Sequence, residues 1–542
     1  MLRYCFRLQP ALAVVAACAM LIAGCSGGPQ NERGPGQSNS GGGIIVAATA
    51  DAESMHPYKT TDTASGQYEG LVYSGSLTER DPEHVDQFKP SMAESWTVGD
   101  DKVTYTFKLR PDLVWSDGQP LTADDFKWTF DQATKPENAW PYITTVQDIE
   151  SYEAPDAHTI QVRLKEPLAI GLEMADAITP LPRHIWETLD WNNPGTNPQI
   201  MAPTVGSGPF LLKEWKKDDH ATFVPNERYY KGKPKLASYT IQVVPDPRIA
   251  YQKLRAGEVD ESTFAPDDYA DAKRLDNVTV YEWWPATGNW TYLGFNLRQP
   301  ILQDKQVRQA LAYAIDRKTI IDRVMYGLAE ETYSAYGPNC WCYNPDVPHR
   351  DYDPEKTKAM LDQAGWRPGP DGIRVKDGQR LHLRLVYGPQ SSKIRTALAT
   401  ITQDSFKQVG VEVEISGLEW VAYLQALKTP PYTGWDMNVG SWQATIDPHW
   451  MFEIWNEDDI PDLNAGAYVN KQVEKLFDDG KREFDQAKRK QIYGQIQSIL
   501  TEDQPYIFLY VDKAYTGLNN RIGGIKPSSL GLEWNIQDWY VK

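Results

Sequence analysis

The stretch from Ala93 to Phe130, AESWTVGDDKVTYTFKLRPDLVWSDGQPLTADDFKWTF, constrains the architecture of this chain more than any other. Tyr105, Phe107 and Leu109 alternate with Thr104, Thr106 and Lys108, the period-2 pattern of a strand buried on one face. Asp100-Asp101 before it and Ser116-Asp117-Gly118 after it supply turn chemistry. Thr122 followed by Asp125 predicts a capping-box start to a helix, with acids in the first turn where the helix dipole favours them. Strand, turn, strand, turn and helix in succession make this one piece of an α+β domain.

The chain has 542 residues, room for two or three lobes at ~100–200 residues per domain. A formal charge of −18 excludes nucleic acid as the partner, because that would require a basic surface. The 19 tryptophans are many, and amphipathic aromatics suit ligand clefts. At the N-terminus, Arg3 and Arg7 precede an apolar run from Ala11 to Gly24 that is too short to span a membrane. Ile22-Ala23-Gly24-Cys25 resembles the lipobox of bacterial lipoproteins, so 1–24 reads as a lipoprotein signal peptide and Cys25 as the lipidated residue. Residues 25–43, rich in Gly, Ser, Pro and Asn, form a flexible tether. The body keeps two cysteines, Cys340 and Cys342, which read either as a small disulfide or as two free thiols. Neither these thiols nor the scattered histidines have metal spacing, and no metal or cofactor is expected.

The wording of the chain goes further. AESW…YTFKLR…W-DG-PLTADD is similar to the signature region of the solute-binding proteins of peptide-type ABC importers, bacterial solute-binding family 5. Other blocks follow in that family's order: Val205–Phe210 (VGSGPF), Leu254–Asp260 (LRAGEVD), Tyr292–Asn296 (YLGFN), Asp304–Arg317 (DKQVRQALAYAIDR) and Tyr352–Trp366 (YDPEKTKAMLDQAGW). The Gly-Ser-Gly of the first block is not a phosphate loop, since it lacks the third glycine and the following Lys-Ser/Thr. The resemblance implies a periplasmic-binding-protein-like α/β (α+β) fold, with two large lobes around a ligand cleft joined by hinge strands and an extra inserted α+β lobe. The expected boundaries are 44–75, 201–290 and 505–542 for lobe I, 76–200 for inserted lobe II, and 291–504 for lobe III. It also implies a monomer, held to the membrane by its lipid, that delivers ligand to an ABC permease and its ATPase subunits.

For the ligand site, Thr61, Asp62 and Thr63 fall in a polar run that lies at the cleft in the family. Asn289, Trp290 and Asn296 sit where a segment crossing between lobes could face the groove, and Trp283 and Trp284 read as core aromatics under the hinge. The loop from Gly440 to Trp450 resembles the family's W…DP loop, with Trp442 as its tryptophan and Asp447, a candidate contact, as its downstream aspartate, which in the family is usually structural and is expected here to cap a turn. In peptide-binding members an aspartate soon after the tryptophan pairs with the ligand's ammonium. Thr445 stands nearest that place here. A peptide ligand is the first reading. An oligosaccharide stacked on Trp442 and Trp450 is the second, and a sensory receptor or cell-surface hydrolase is a remote third. There is no G-x-S-x-G elbow and no H-E-x-x-H helix, so the chain is not read as an enzyme.

Overall fold

The alternation at Thr104–Leu109 is realised as a strand with Tyr105, Phe107 and Leu109 buried at 2 %, 0 % and 2 % exposure. It pairs with Ala93–Val98 on one side and Thr159–Leu164 on the other, and Ile149–Asp156 completes an antiparallel four-stranded sheet. The helix Ala123–Ala133 starts where the sequence predicts. The Asp125 carboxylate accepts from the Thr122 backbone N–H at 2.9 Å and ties back the first turn. The computed structural model describes residues 42–73, 75–338, 340–389 and 392–542. The signal peptide, the lipobox Cys25 and the tether up to residue 41 lie outside the described residues. The first strand, Gly43–Ala48, begins one residue inside the expected tether because Gly43 already pairs with Ser238.

That strand lies in the middle of a seven-stranded sheet. Across it run Val278–Trp283, Ala514–Asn519, Glu261–Ser262, Gly43–Ala48, Ser238–Val243, His220–Pro225 and Phe210–Lys216. The two central long strands are parallel; consecutive antiparallel hairpin strands extend the sheet on one side, and Ala514–Asn519 pairs antiparallel with Glu261–Ser262 and Val278–Trp283 on the other. Helix Thr63–Val72 packs Tyr68 against Phe223 and Trp215. The VGSGP segment runs so close to the end of this helix that a Cβ on Gly206 or Gly208 would strike the backbone of Val72 or Leu71. Only glycine permits that approach. One continuous core, including Ile44, Tyr68 and Phe223, extends into the four-stranded sheet through Phe107 and Ile160.

A six-stranded mixed sheet gathers Ala329–Glu331, Tyr506–Asp512, Asn289–Phe295, Met437–Gln443, His382–Tyr387 and Glu412–Gly417. His382–Tyr387, helix Lys393–Gln408 and Glu412–Gly417 form a parallel strand–helix–strand unit. Asn289–Phe295 and Tyr506–Asp512 pair with each other inside this sheet. Each continues within a few residues into the seven-stranded one, through Val278–Trp283 and Ala514–Asn519. The crossings fall at 284–288 and at Lys513, since ladder pairing begins at Asn289 and persists to Asp512. Two short crossings beside each other are the geometry of a hinge.

Three bodies are thus built on the seven-stranded, four-stranded and six-stranded sheets, and the segment carrying the four-stranded sheet also touches the third of them directly. The Ala169 N–H donates to the Lys481 carbonyl at 2.7 Å, and Trp450 Nε1 donates to Glu173 at 2.6 Å. Arg482 grips Glu166 with two nitrogens at 2.8 and 3.2 Å.

Candidate ligand cleft

A cavity of ≈ 800 Å³ opens where the three bodies meet. Its largest wall is one face of helix Thr63–Val72, from Thr63 to Leu71, with the loop before it, joined by Tyr239 and by Glu533 and Ile536 of the C-terminal turn. Tyr142 reaches it from the inserted segment and Gln443 from the end of the six-stranded sheet. A hollow of similar size, ≈ 870 Å³, runs along helix Gln486–Asp503 and is lined wholly from within 343–499, away from the meeting point of the bodies.

Thr61, Asp62 and Thr63 all line the cleft. Asp62 is the N-cap: one carboxylate oxygen accepts from the Ser65 N–H at 2.8 Å, and Oδ2 is buried without a hydrogen-bond partner. Glu69, two turns on, accepts from the Thr60 hydroxyl at 2.6 Å. Desolvation, with Asp62 nearby adding to it, pushes its carboxyl up to about 7.

Asn289 is exposed and directly opposite Gln443 in the ladder, which places it beside the cleft. Its side chain reaches Asp512 on the crossing strand, where burial pushes the carboxyl up to about 7. Trp290 is elsewhere. It is fully buried, stacked 6.5 Å from Trp455 and packed against Phe508, so it is a core residue. Asn296 is also fully buried, with Nδ2 donating to the carbonyls of Tyr432 and Trp435 at 2.9 and 3.1 Å. It fastens a loop to the strand end and offers nothing to a ligand. Trp442 is half-buried, next to Gln443 and across the ladder from Trp290.

The W…DP loop resolves into structural work. The Thr445 hydroxyl donates to the Asp447 carbonyl at 2.7 Å. Asp447 is 8 % exposed, and its two oxygens face Arg489 at 2.7 and 3.0 Å. One of them also accepts from the His449 N–H at 3.0 Å, capping the turn Pro448–Trp455. A carboxylate so occupied has no room for a ligand's ammonium, which corrects its place among the candidate contacts. Cys340 and Cys342 are bonded to each other, on a loop whose Trp341 ring lies 5.3 Å from the Arg489 guanidinium. Among the described residues no three His, Cys, Asp or Glu side chains converge on a metal position.

Four lining or near-lining residues escape sequence reasoning: Gln443, Tyr239, Glu533 and Glu69. Glu69 carries one signal, since it lies one helical face along from Asp62 and Gly66. The others come together only through the tertiary fold.

The model of bacterial extracellular solute-binding proteins, family 5 (middle region), matches residues 87–460. Along nearly its whole length the chain is similar to the oligopeptide-binding protein AppA of Bacillus subtilis, at 29 % identity over 539 residues covering 98 % of each chain. The structure of that protein in complex with a nonapeptide superposes with a TM-score of 0.77 over 93 % of this chain and 99 % of the other. The dipeptide-binding protein of Escherichia coli is 27 % identical over 82 % of this chain and 84 % of its own. The nickel-binding periplasmic protein of the same organism is 27 % identical over 77 % and 80 %. None of the described helices is long and apolar enough to cross a membrane. The chain belongs to the bacterial extracellular solute-binding proteins, family 5, whose members are transport binding proteins and not enzymes.

Proposed function

We propose that this chain captures a peptide in the cleft between its lobes, closes over it about the paired crossing strands, and delivers it to the permease of an ABC importer. The observation that carries this reading is the end-to-end similarity, in sequence and fold, to an oligopeptide-binding protein solved with its peptide. The ≈ 800 Å³ cavity supports it, since its size is in the range of small-ligand sites and it is walled by all three bodies. Closure needs no covalent chemistry, only a ligand that binds the closed arrangement better than the open one. On this reading Cys25 carries a lipid that keeps a monomeric body at the outer side of the membrane, and lobes I, II and III are the three bodies with the crossings placed above. Thr61, Asp62, Thr63, Asn289 and Trp442 are the ligand-side residues among those singled out from sequence.

Isothermal titration of the full-length protein with a pool of di- to nonapeptides, and separately with an oligosaccharide pool, tests the reading. Peptide binding is the expected result. Heat from the sugars alone would replace peptide by oligosaccharide as the cargo, with Trp442 as the stacking platform.

A further inference from the structure

Cys340 and Cys342 are the only cysteines among the described residues, and they are bonded to each other with Trp341 as the one residue enclosed. The bond sits where the segment carrying the four-stranded sheet meets the third body. A small hollow of ≈ 160 Å³ lies in that seam, with Phe88, Ile170 and Glu173 on the side of the inserted segment and Trp341, Asp447 and Arg489 on the other. The Trp341 ring lies 5.3 Å from the Arg489 guanidinium and meets Tyr493 edge-on at 6.0 Å. Contact continues from there across the seam. Arg489 holds Asp447, Asp447 caps the turn that carries Trp450, and Trp450 donates to Glu173. Ala169, which lines the same hollow, also spans the seam, its N–H donating to the Lys481 carbonyl at 2.7 Å.

The loop is pinned at both ends by bonds that do not involve the sulfurs. Before it, the fully buried Tyr336 donates its hydroxyl to the Pro448 carbonyl at 2.9 Å. After it, the Cys342 carbonyl accepts from Gln497 Nε2 at 2.8 Å, and Asn344 Nδ2 donates to the Gly494 carbonyl at 3.1 Å. Opening the disulfide therefore frees the Trp341 tip, whose backbone entropy the bond suppresses, and leaves the body around it standing. Cys342 is fully buried, whereas Cys340 is partly exposed and is the sulfur a thiol can reach.

We infer that Cys340–Cys342 is a redox latch on lobe closure: intact, it holds Trp341 in the seam between the inserted segment and the third body, and opened by a dithiol it lets Trp341 go and loosens that seam. In the reaction a thiolate of the dithiol bonds to the Cys340 sulfur and the Cys340–Cys342 bond breaks, Cys342 leaving as a thiolate that takes up a proton. The second thiolate of the reductant then attacks its own first sulfur, releases Cys340 to be protonated, and leaves the reductant as a disulfide. Two electrons and two protons pass to the cysteine pair. The latch acts on the protein's own closure, whatever the cleft takes.

Hydrogen exchange of the full-length protein before and after treatment with dithiothreitol tests the latch, with alkylation mapping of Cys340 and Cys342 to score the bond in each sample. On reduction the Ala169 amide is expected to exchange at least about tenfold faster, while the strand Ser238–Val243 stays within about twofold. A Cys340→Ser/Cys342→Ser variant is expected to exchange like the reduced protein and not to respond to dithiothreitol. Trp341→Ala, with its disulfide intact, is expected to reproduce the fast exchange at Ala169. Equal protection at Ala169 with the bond shown open would overturn the inference, as would a bond that dithiothreitol does not open in the folded protein. Acceleration that extends to Ser238–Val243 would overturn it too, making the disulfide a staple of the whole body. An Ala169 amide still protected in Trp341→Ala would overturn the part given to Trp341. Each of these results leaves the peptide reading untouched.

Discussion

Replacing Asp447 by asparagine separates a structural role from a ligand-binding one. The Asp447–Arg489 pair is nearly dry, with side-chain exposures of 11 % and 8 %, and bidentate at 2.7 and 3.0 Å. Arg489 also donates to the Gly480 carbonyl at 2.8 Å, so the pair ties the Pro448–Trp455 turn to two helices. Removing one partner of such a pair leaves a buried charge uncompensated and costs about 3–5 kcal/mol. At about 1 °C per kcal/mol for a body of about 500 residues, Asp447→Asn is expected to lower Tm by about 3–5 °C. Arg489→Met should cost a similar amount. The double variant, with both charges gone, should melt above Asp447→Asn alone, because the buried cation no longer lacks a partner. Differential scanning calorimetry gives the cycle, and peptide titration below the transition gives affinity. A variant that keeps its Tm while affinity collapses would refute the structural assignment and return Asp447 to the ligand site.

Other consequences follow from the same geometry. Trp442→Ala is expected to weaken ligand binding at least tenfold with little change in Tm; collapse of the fold would mark it as core. His56 is fully buried against Trp186 and Trp191, with Nε2 donating to the Trp191 carbonyl at 3.0 Å and Nδ1 accepting from the Tyr58 N–H at 3.2 Å. Both ring positions are thus used in the neutral form, and burial lowers its pKa to about 4. The stabilisation is therefore full above about 6.5 and lost as pH falls through about 4, worth about 3 kcal/mol at 1.36 kcal/mol per unit. Melting curves should show His56→Gln less sensitive to pH than the unsubstituted protein across that window; parallel curves would refute it. Trp450→Phe removes the hydrogen bond to Glu173 that joins the inserted segment to the third body, and about three- to tenfold weaker ligand binding is expected. Unchanged affinity would show that this contact takes no part in closure.

Local chemistry was plain in the sequence wherever one residue's neighbours are also its chain neighbours. The Thr104–Leu109 alternation and the Thr122–Asp125 helix start are both found where periodicity and capping chemistry place them. Orientation within the crossing strand was not legible. Trp290 to Phe295 are all buried, so no alternation marks which face meets the cleft, and Trp290 reads as a groove residue when it is core. Asp447 was legible as a structural aspartate of the W…DP loop, but its partner Arg489, 42 residues on, was not. The loop before Thr63 was legible only through the family resemblance, and the structure adds that its Asp62 caps the helix that follows.

The most direct test of the whole account is native mass spectrometry of the full-length protein purified gently, without refolding, so that ligand is retained in the cleft. Peptide capture predicts an added mass that fragments into amino-acid residue masses. Hexose or pentose increments in place of amino-acid masses would contradict it.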